Sequence, residues 1–157
     1  MSENIKKSEI RVNVKDAIEL ITEIFKSKSC SDYEAKTVAE RLCGANLKGH
    51  DSHGIVRVPR YVEWMGEGKV FANKKPELVI DAGALACLDA KQGFGQVAGE
   101  HAVDEGILRA KKYGVSVVGL RNSGHLGRIG DWAERAGDAG FVSFHFVNVR
   151  GSLLVAP

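Results

Sequence analysis

The spacing of apolar residues changes once along this chain, after Pro76, and that change limits what it can fold into. Before it, Ala17, Leu20, Ile21, Ile24 and Phe25 recur at helical intervals, which predicts an amphipathic helix over Val14–Lys28. Ser31-Asp32-Tyr33-Glu34 has the form of a capping box. It opens a second helix with the stripe Ala35, Val38, Ala39, Leu42 and Cys43, fading near Lys48. A third helix is expected from about Val56, with Pro59 in its first turn, where a missing N–H has no partner to lose. It would turn Val58, Val62 and Met65 inward and stop at Gly66 or Gly68. Beyond Pro76, Leu78–Ile80 and Ala86–Leu88 read as short paired strands around Asp81-Ala82-Gly83. A helix over Gly95–Lys112, a strand over Val115–Leu120, a polar loop over Arg121–Gly130, a helix ending near Gly140 and a last strand over Phe141–Val147 follow. Helices first, then strands alternating with helices, describe an α/β (α+β) layered domain over 1–157, with a helical segment 1–75 and the start of an α/β core at 76–157.

The chain has 157 residues, enough for one domain with a real core. Its net charge of +2, without a Lys/Arg cluster, argues against nucleic acid as a partner. No apolar run approaches the ~20 residues of a membrane span, and Met1 to Lys15 carries no signal-peptide core. Cys30, Cys43 and Cys87 are odd in number and lack a CxxC spacing, which fits reduced thiols in the cytoplasm, with Cys43 and Cys87 filling core. The end, Ser152-Leu153-Leu154-Val155-Ala156-Pro157, is an apolar run without a polar tail, so a longer natural chain is expected.

Candidate chemistry concentrates in Gly49-His50-Asp51-Ser52-His53-Gly54-Ile55-Val56-Arg57-Val58-Pro59-Arg60-Tyr61. Arg57 and Tyr61 are four apart and would share a helix face, which His53 joins if the helix begins early. A guanidinium forks onto a carboxylate with two charge-assisted bonds. Arg57 therefore suits a substrate carboxylate, with Ser52, His53 and Tyr61 donating around it; the plainer reading is a solvated helix end. His125 lies in Arg121-Asn122-Ser123-Gly124-His125-Leu126-Gly127-Arg128-Ile129-Gly130, after an expected strand, where open α/β sheets place ligands. Imidazole titrates near neutrality and suits acid–base work, against the plainer reading of a structural loop histidine.

Two other patterns carry less. Gly93-Phe94-Gly95-Gln96-Val97-Ala98 matches G-x-G-x-x-A, but Asp89 to Gln92 separates it from the strand, and the next strand closes on Arg121 rather than an acid. His50 and His53, with His125 as a third ligand, invite a metal, yet no cysteine pair or HExxH spacing completes such a site, so none is assigned. His101, among Glu100, Asp104 and Glu105, reads as a solvated face, and His145 alternates with Phe144 and Phe146.

Three collinear motifs carry a resemblance: Gly49-His50-Asp51-Ser52-His53-Gly54 with Arg57 and Tyr61, Gly93-Phe94-Gly95-Gln96, and Asn122-Ser123-Gly124-His125-Leu126-Gly127. With His145-Phe146-Val147-Asn148-Val149 and Val155-Ala156-Pro157, they resemble the malate/L-lactate dehydrogenase family of the non-Rossmann type, which includes sulfolactate and ureidoglycolate dehydrogenases. The resemblance implies a mixed, largely antiparallel sheet flanked by helices, in place of a Rossmann fold. It implies His125 as the acid/base that takes the substrate hydroxyl proton, and Ser52, His53, Arg57 and Tyr61 as substrate-binding. Asn148 would touch the nicotinamide end of NAD or NADP. The partners implied are a small 2-hydroxyacid or 2-oxoacid such as malate or lactate and a second copy in a homodimer. Family members are about twice as long, so this chain corresponds to an N-terminal half, and most of the dinucleotide pocket would lie beyond Pro157. Two readings stay open: an NAD(P)-dependent 2-hydroxyacid oxidoreductase, and a truncated or split-gene remnant without independent catalysis.

Overall fold

The structure is a computed structural model that describes residues 11–148. The chain divides into two compact units, Met1–Asn73 and Lys74–Pro157, each taken here by itself.

The first unit is helical. Helix α1 (Val14–Lys26) starts where the Asn13 side chain accepts from the Lys15 N–H at 2.8 Å. Its buried stripe is Ile21 and Phe25, continued by half-buried Val14, Ala17 and Ile18. Leu20, expected inward, is 63% exposed: the face is rotated so that Ile18 takes its place. Helix α2 (Asp32–Leu47) packs against α1. Ala35, Val38, Ala39, Leu42 and Cys43 are all buried, as the stripe predicts. Fully buried Phe25, Val38 and Leu42 each contribute about 1.5–3 kcal/mol of apolar transfer free energy.

The capping box at the start of α2 is half formed. The Ser31 hydroxyl accepts from the Glu34 N–H, but Glu34 does not reach back. Its carboxylate accepts from the Asn73 N–H at 2.8 Å, while the Ser31 N–H goes to Asn73 Oδ1 at 2.8 Å. Asn73 Nδ2 also donates to Ser29 O, so one side chain from the end of the unit replaces the local cap. Glu34 is 3% exposed. Burial pushes its carboxyl up from the ordinary value, opposed by bonds from Asn73 and Cys30. Cys30 is buried beside it, and that burial together with the Glu34 charge pushes its thiol up to about 12.

Helix α3 (Val58–Gly66) begins later than expected. Two 3-10 turns, Asp51–His53 and Ile55–Arg57, precede it, with Pro59 in its first turn. Val58 is buried, and Val62 and Met65 are half-buried.

The second unit holds a mixed three-stranded sheet in the order β1 (Glu77–Ala82), β2 (Leu85–Asp89), β3 (Val117–Arg121). Strands β1 and β2 pair antiparallel as a hairpin, while β2 and β3 pair parallel. Between the parallel strands runs α4 (Gly95–Tyr113), the long connection that parallel pairing requires. It packs on both strands, and buried Ala86 and Leu88 share register with half-buried Val118 and Leu120. Arg109 of α4 is buried and donates to Asp81 Oδ1 at 2.7 Å and to the Gly83 carbonyl, tying helix to hairpin turn. Helix α5 (Gly130–Asp138) packs on α4 through Arg135, bidentate on Asp104 at 2.7 and 2.8 Å. This is the α/β (α+β) class with a mixed sheet that the sequence implies.

Two expectations are corrected. Residues 141–148 form no strand, and Val142, Phe144 and Phe146 are 90%, 83% and 96% exposed. An alternating apolar segment becomes a strand only beside a partner ladder, and none of the described strands pairs with it. Cys87 is half-buried rather than core, whereas Cys30 is buried. The remaining motif residues, Val149 and Val155 to Pro157, lie outside the described residues.

Candidate functional site

The segment Gly49–Arg57 is shaped by the end of α2. Gly49, at φ +73°, turns the chain back: the His50 N–H donates to Ala45 O and the Gly49 N–H to Asn46 O, a Schellman ending. The two 3-10 turns then place Ser52, His53 and Arg57 together. Ser52 Oγ lies 2.9 Å from His53 Nδ1, and Arg57 Nε donates to the Ser52 carbonyl at 2.6 Å. That bond uses one of five N–H donors, and the other four are those that fork onto a carboxylate. The His50 and His53 rings are 4.4 Å apart and tilted by 47°. Burial, then the positive neighbours His50 and Arg57, push the His53 pKa below its ordinary value. The loop thus gathers cationic and polar groups that an anion would stabilise.

Tyr61 is the buried member of the expected set. It is 2% exposed, with its ring 6.4 Å from Phe25 and 5.7 Å from a stacked Trp64. The phenol expected to donate to substrate has its ring in the core of the unit. Arg57 is the cap residue of α3, and its guanidinium bends back to Ser52.

Sequence reasoning passed over Asn46. Its Nδ2 donates to Asp51 Oδ1 at 2.6 Å and its Oδ1 accepts from the Ile55 N–H at 2.8 Å. A Cβ on Gly54 would lie 2.1–2.6 Å from the Asn46 carboxamide. The only signal for this was an amide residue a few positions before the polar stretch.

His125 lies on the second unit, in the loop from β3 to α5, and is half-buried. A second missed residue, Asp89 at the end of β2, fixes that loop. Asp89 Oδ2 accepts from Arg121 Nε and Asn122 Nδ2, both at 2.9 Å, and Oδ1 from the Lys91 N–H at 2.9 Å. The Lys91 bond, followed by those of Asn122 and Arg121, holds this carboxyl below the usual range. Lys91, Gln92 and Asn122 all have positive φ, at 52°, 59° and 51°, a concentration of strained backbone that typifies functional loops. Gln92 N–H donates to Asn122 O at 2.6 Å and Gly124 N–H to Gly93 O at 2.9 Å. His125 Nδ1 accepts from the Gly127 N–H at 3.3 Å.

The glycine-rich turn that opens α4 is the candidate pyrophosphate cradle. A Cβ on Gly95 would meet His125 O at 2.2 Å, His125 C at 2.4 Å and Gly124 O at 2.5 Å. The space beside Gly95 is filled by carbonyl oxygens of the chain itself, which repel phosphate rather than bind it. The described residues therefore do not fit a dinucleotide at this loop, although β2, α4 and β3 are connected as a βαβ unit. Asn148 is exposed in the segment without strand structure. Among the described residues, no group of three His, Cys, Asp or Glu is placed to hold a metal ion, and no helix is long and apolar enough to cross a membrane.

A helical unit carrying the Gly-His-Asp-Ser-His-Gly loop between α2 and α3, followed by a unit with a mixed sheet bearing a histidine loop, is the fold of the N-terminal part of dehydrogenases of the non-Rossmann kind. Residues 12–157 match the malate/L-lactate dehydrogenase family, and the chain belongs to it. Hydroxycarboxylate dehydrogenase B of Escherichia coli K12 is 47% identical over 137 residues, 87% of this chain and 38% of that protein. Among solved structures, a candidate malate/lactate dehydrogenase from E. coli superposes with a TM-score of 0.82 at 41% identity, covering 84% of this chain and 37% of that one. Sulfolactate dehydrogenase from Methanocaldococcus jannaschii gives 0.79 at 32% identity, covering 82% and 38%. The chain spans less than half the length of these relatives.

Proposed function

We propose that this chain supplies the substrate-anchoring and proton-transferring residues of an oxidoreductase acting on a small 2-hydroxyacid or 2-oxoacid such as malate or lactate. The observation that carries the proposal is the Ser52–His53–Arg57 cluster, one guanidinium and two donor side chains held within hydrogen-bond reach on two short turns. Arg57 takes the substrate carboxylate, with Ser52 and His53 on the neighbouring oxygens. Oxidation of a 2-hydroxyacid releases the hydroxyl proton as the C2–H bond breaks, and His125 is the group assigned to that proton. In the reverse direction His125 returns it to the carbonyl oxygen. NAD or NADP is the hydride partner by family membership, with Asn148 proposed at the nicotinamide end. We place the enzyme in the cytoplasm, as a homodimer in its complete form.

Nicotinamide-linked oxidation of L-malate and L-lactate by the protein containing this chain tests the proposal. An Arg57→Lys variant keeps the charge and loses the fork, so the affinity for the acid falls by about ten-fold or more. Wild-type affinity in Arg57→Lys overturns the anchoring role.

A second reading, a chain that does not catalyse by itself, is favoured by its span of 38% of the hydroxycarboxylate dehydrogenase. Titration of the 157-residue chain with NADH and NADPH separates the two. Micromolar binding sinks the second reading, and absence of binding supports it.

A further inference from the structure

We infer that Asn46 is a positioning residue that sets the orientation of Arg57 relative to Ser52 and His53; this rests on the anchoring role proposed for those three. Two consecutive 3-10 turns have no ladder to fix their mutual angle. The first has Asp51 in its first position and the second begins at Ile55, whose N–H is one of the orphan donors of a helix start. Gly54 occupies the cap position of the second turn and has no side chain with which to satisfy it. The Asn46 carboxamide does so from α2: its oxygen accepts the Ile55 N–H at 2.8 Å while its nitrogen holds Asp51 at 2.6 Å. One planar group therefore spans both turns. It occupies the volume that a Cβ at Gly54 would need, so the glycine and the amide form a complementary pair. Ser52 lies next to Asp51, and Arg57 closes the second turn and reaches back to the Ser52 carbonyl. Releasing the bridge frees that angle and the guanidinium with it.

The test uses amide and guanidinium exchange by NMR, together with L-malate titration of the same protein. In Asn46→Ala, exchange at the Ile55 amide accelerates by about ten-fold, while α2 amides such as Leu42 keep their protection. The Arg57 Nε–H resonance moves, and the Kd for L-malate rises by about ten-fold. Asn46→Asp puts a second carboxylate against Asp51 and weakens malate binding in the same way. Adding Asp51→Asn to it restores a donor–acceptor pair and returns the Kd to within about three-fold of wild type. A merely structural contact would show no such rescue in affinity. Gly54→Ala lowers the melting temperature of the wild-type protein and has little effect in the Asn46→Ala background, where the opposing carboxamide is gone.

Unchanged Ile55 exchange in Asn46→Ala overturns the inference. So does equal damage by Gly54→Ala in both backgrounds, or failure of the Asp51→Asn rescue. If the wild-type protein binds no L-malate, the anchoring role fails instead, and the exchange and Gly54 results decide the bridge on their own.

Discussion

Gly95→Ala is the sharpest perturbation of the loop proposed to transfer the proton, because its cost follows from fixed backbone atoms. The added Cβ would sit 2.2 Å from His125 O and 2.5 Å from Gly124 O. Ordinary Cβ contacts begin near 3.4 Å, so loop and helix start must part by about 1.2 Å, and an overpacked site of this kind costs about 1–3 kcal/mol. The Gly124 N–H bond to Gly93 O, 2.9 Å long, lies in the path of that movement; losing it adds about 0.5–1.5 kcal/mol. A total of about 1.5–4.5 kcal/mol is a large fraction of the stability of a small domain. Urea unfolding gives the loss directly, and exchange at the Gly124 amide reports whether the hydrogen bond has opened. Because catalytic groups tolerate little displacement, a shift of ~1 Å at His125 also lowers turnover by about a hundred-fold. A Gly95→Ala protein within about 0.5 kcal/mol of wild type, with Gly124 still protected, would refute the reasoning.

Gly44 offers the opposite case: it lies inside α2 with nothing within 4 Å of an added Cβ. Gly44→Ala should stabilise by about 0.5–1 kcal/mol in the same urea assay. Glu34 has a folded pKa raised above its unfolded value. Its contribution is therefore complete below the ordinary carboxylate range and is lost as pH rises through the raised folded value. Glu34→Gln, which keeps an oxygen for the Asn73 N–H, should flatten that decline in melting temperature, whereas Glu34→Ala should cost about 1–3 kcal/mol. His53 is shifted the other way, so stability should fall as pH drops from about 6.5 towards its lowered folded value. An anionic substrate favours its protonated form, and malate binding should then weaken as pH rises from that lowered value; calorimetry in two buffers would detect the proton uptake.

The helical stripes of the first unit were legible because burial there follows a local period, and α2 buries the residues that its spacing picks out. Leu20 shows the limit: Ile18 and Leu20 both suit a helix, and only packing against α2 decides which turns inward. The capping box failed in one half because the competing partner of Glu34 is Asn73, 39 positions away. The expected strand at 141–147 had the right alternation, but strand formation depends on a neighbour that alternation does not supply. In the candidate site, the cluster of Ser52, His53 and Arg57 could be read from residue type, since their density has no use in a core. The burial of Tyr61 could not: a phenol four residues from an arginine looks the same in sequence whether its ring faces solvent or packs on Phe25. Asn46 and Asp89 were invisible for a related reason, because each acts on backbone groups that fold back to it, and neither belongs to a motif.

The account assigns anchoring to one loop and proton transfer to another, and that division can be measured directly. In the protein containing this chain, His125→Asn should lower the rate of malate oxidation by about two to four orders of magnitude. It should leave the Kd for L-malate within about two-fold of wild type, because the proposed carboxylate anchor is Arg57. An unchanged rate, or a loss of affinity as large as the loss of rate, would contradict it.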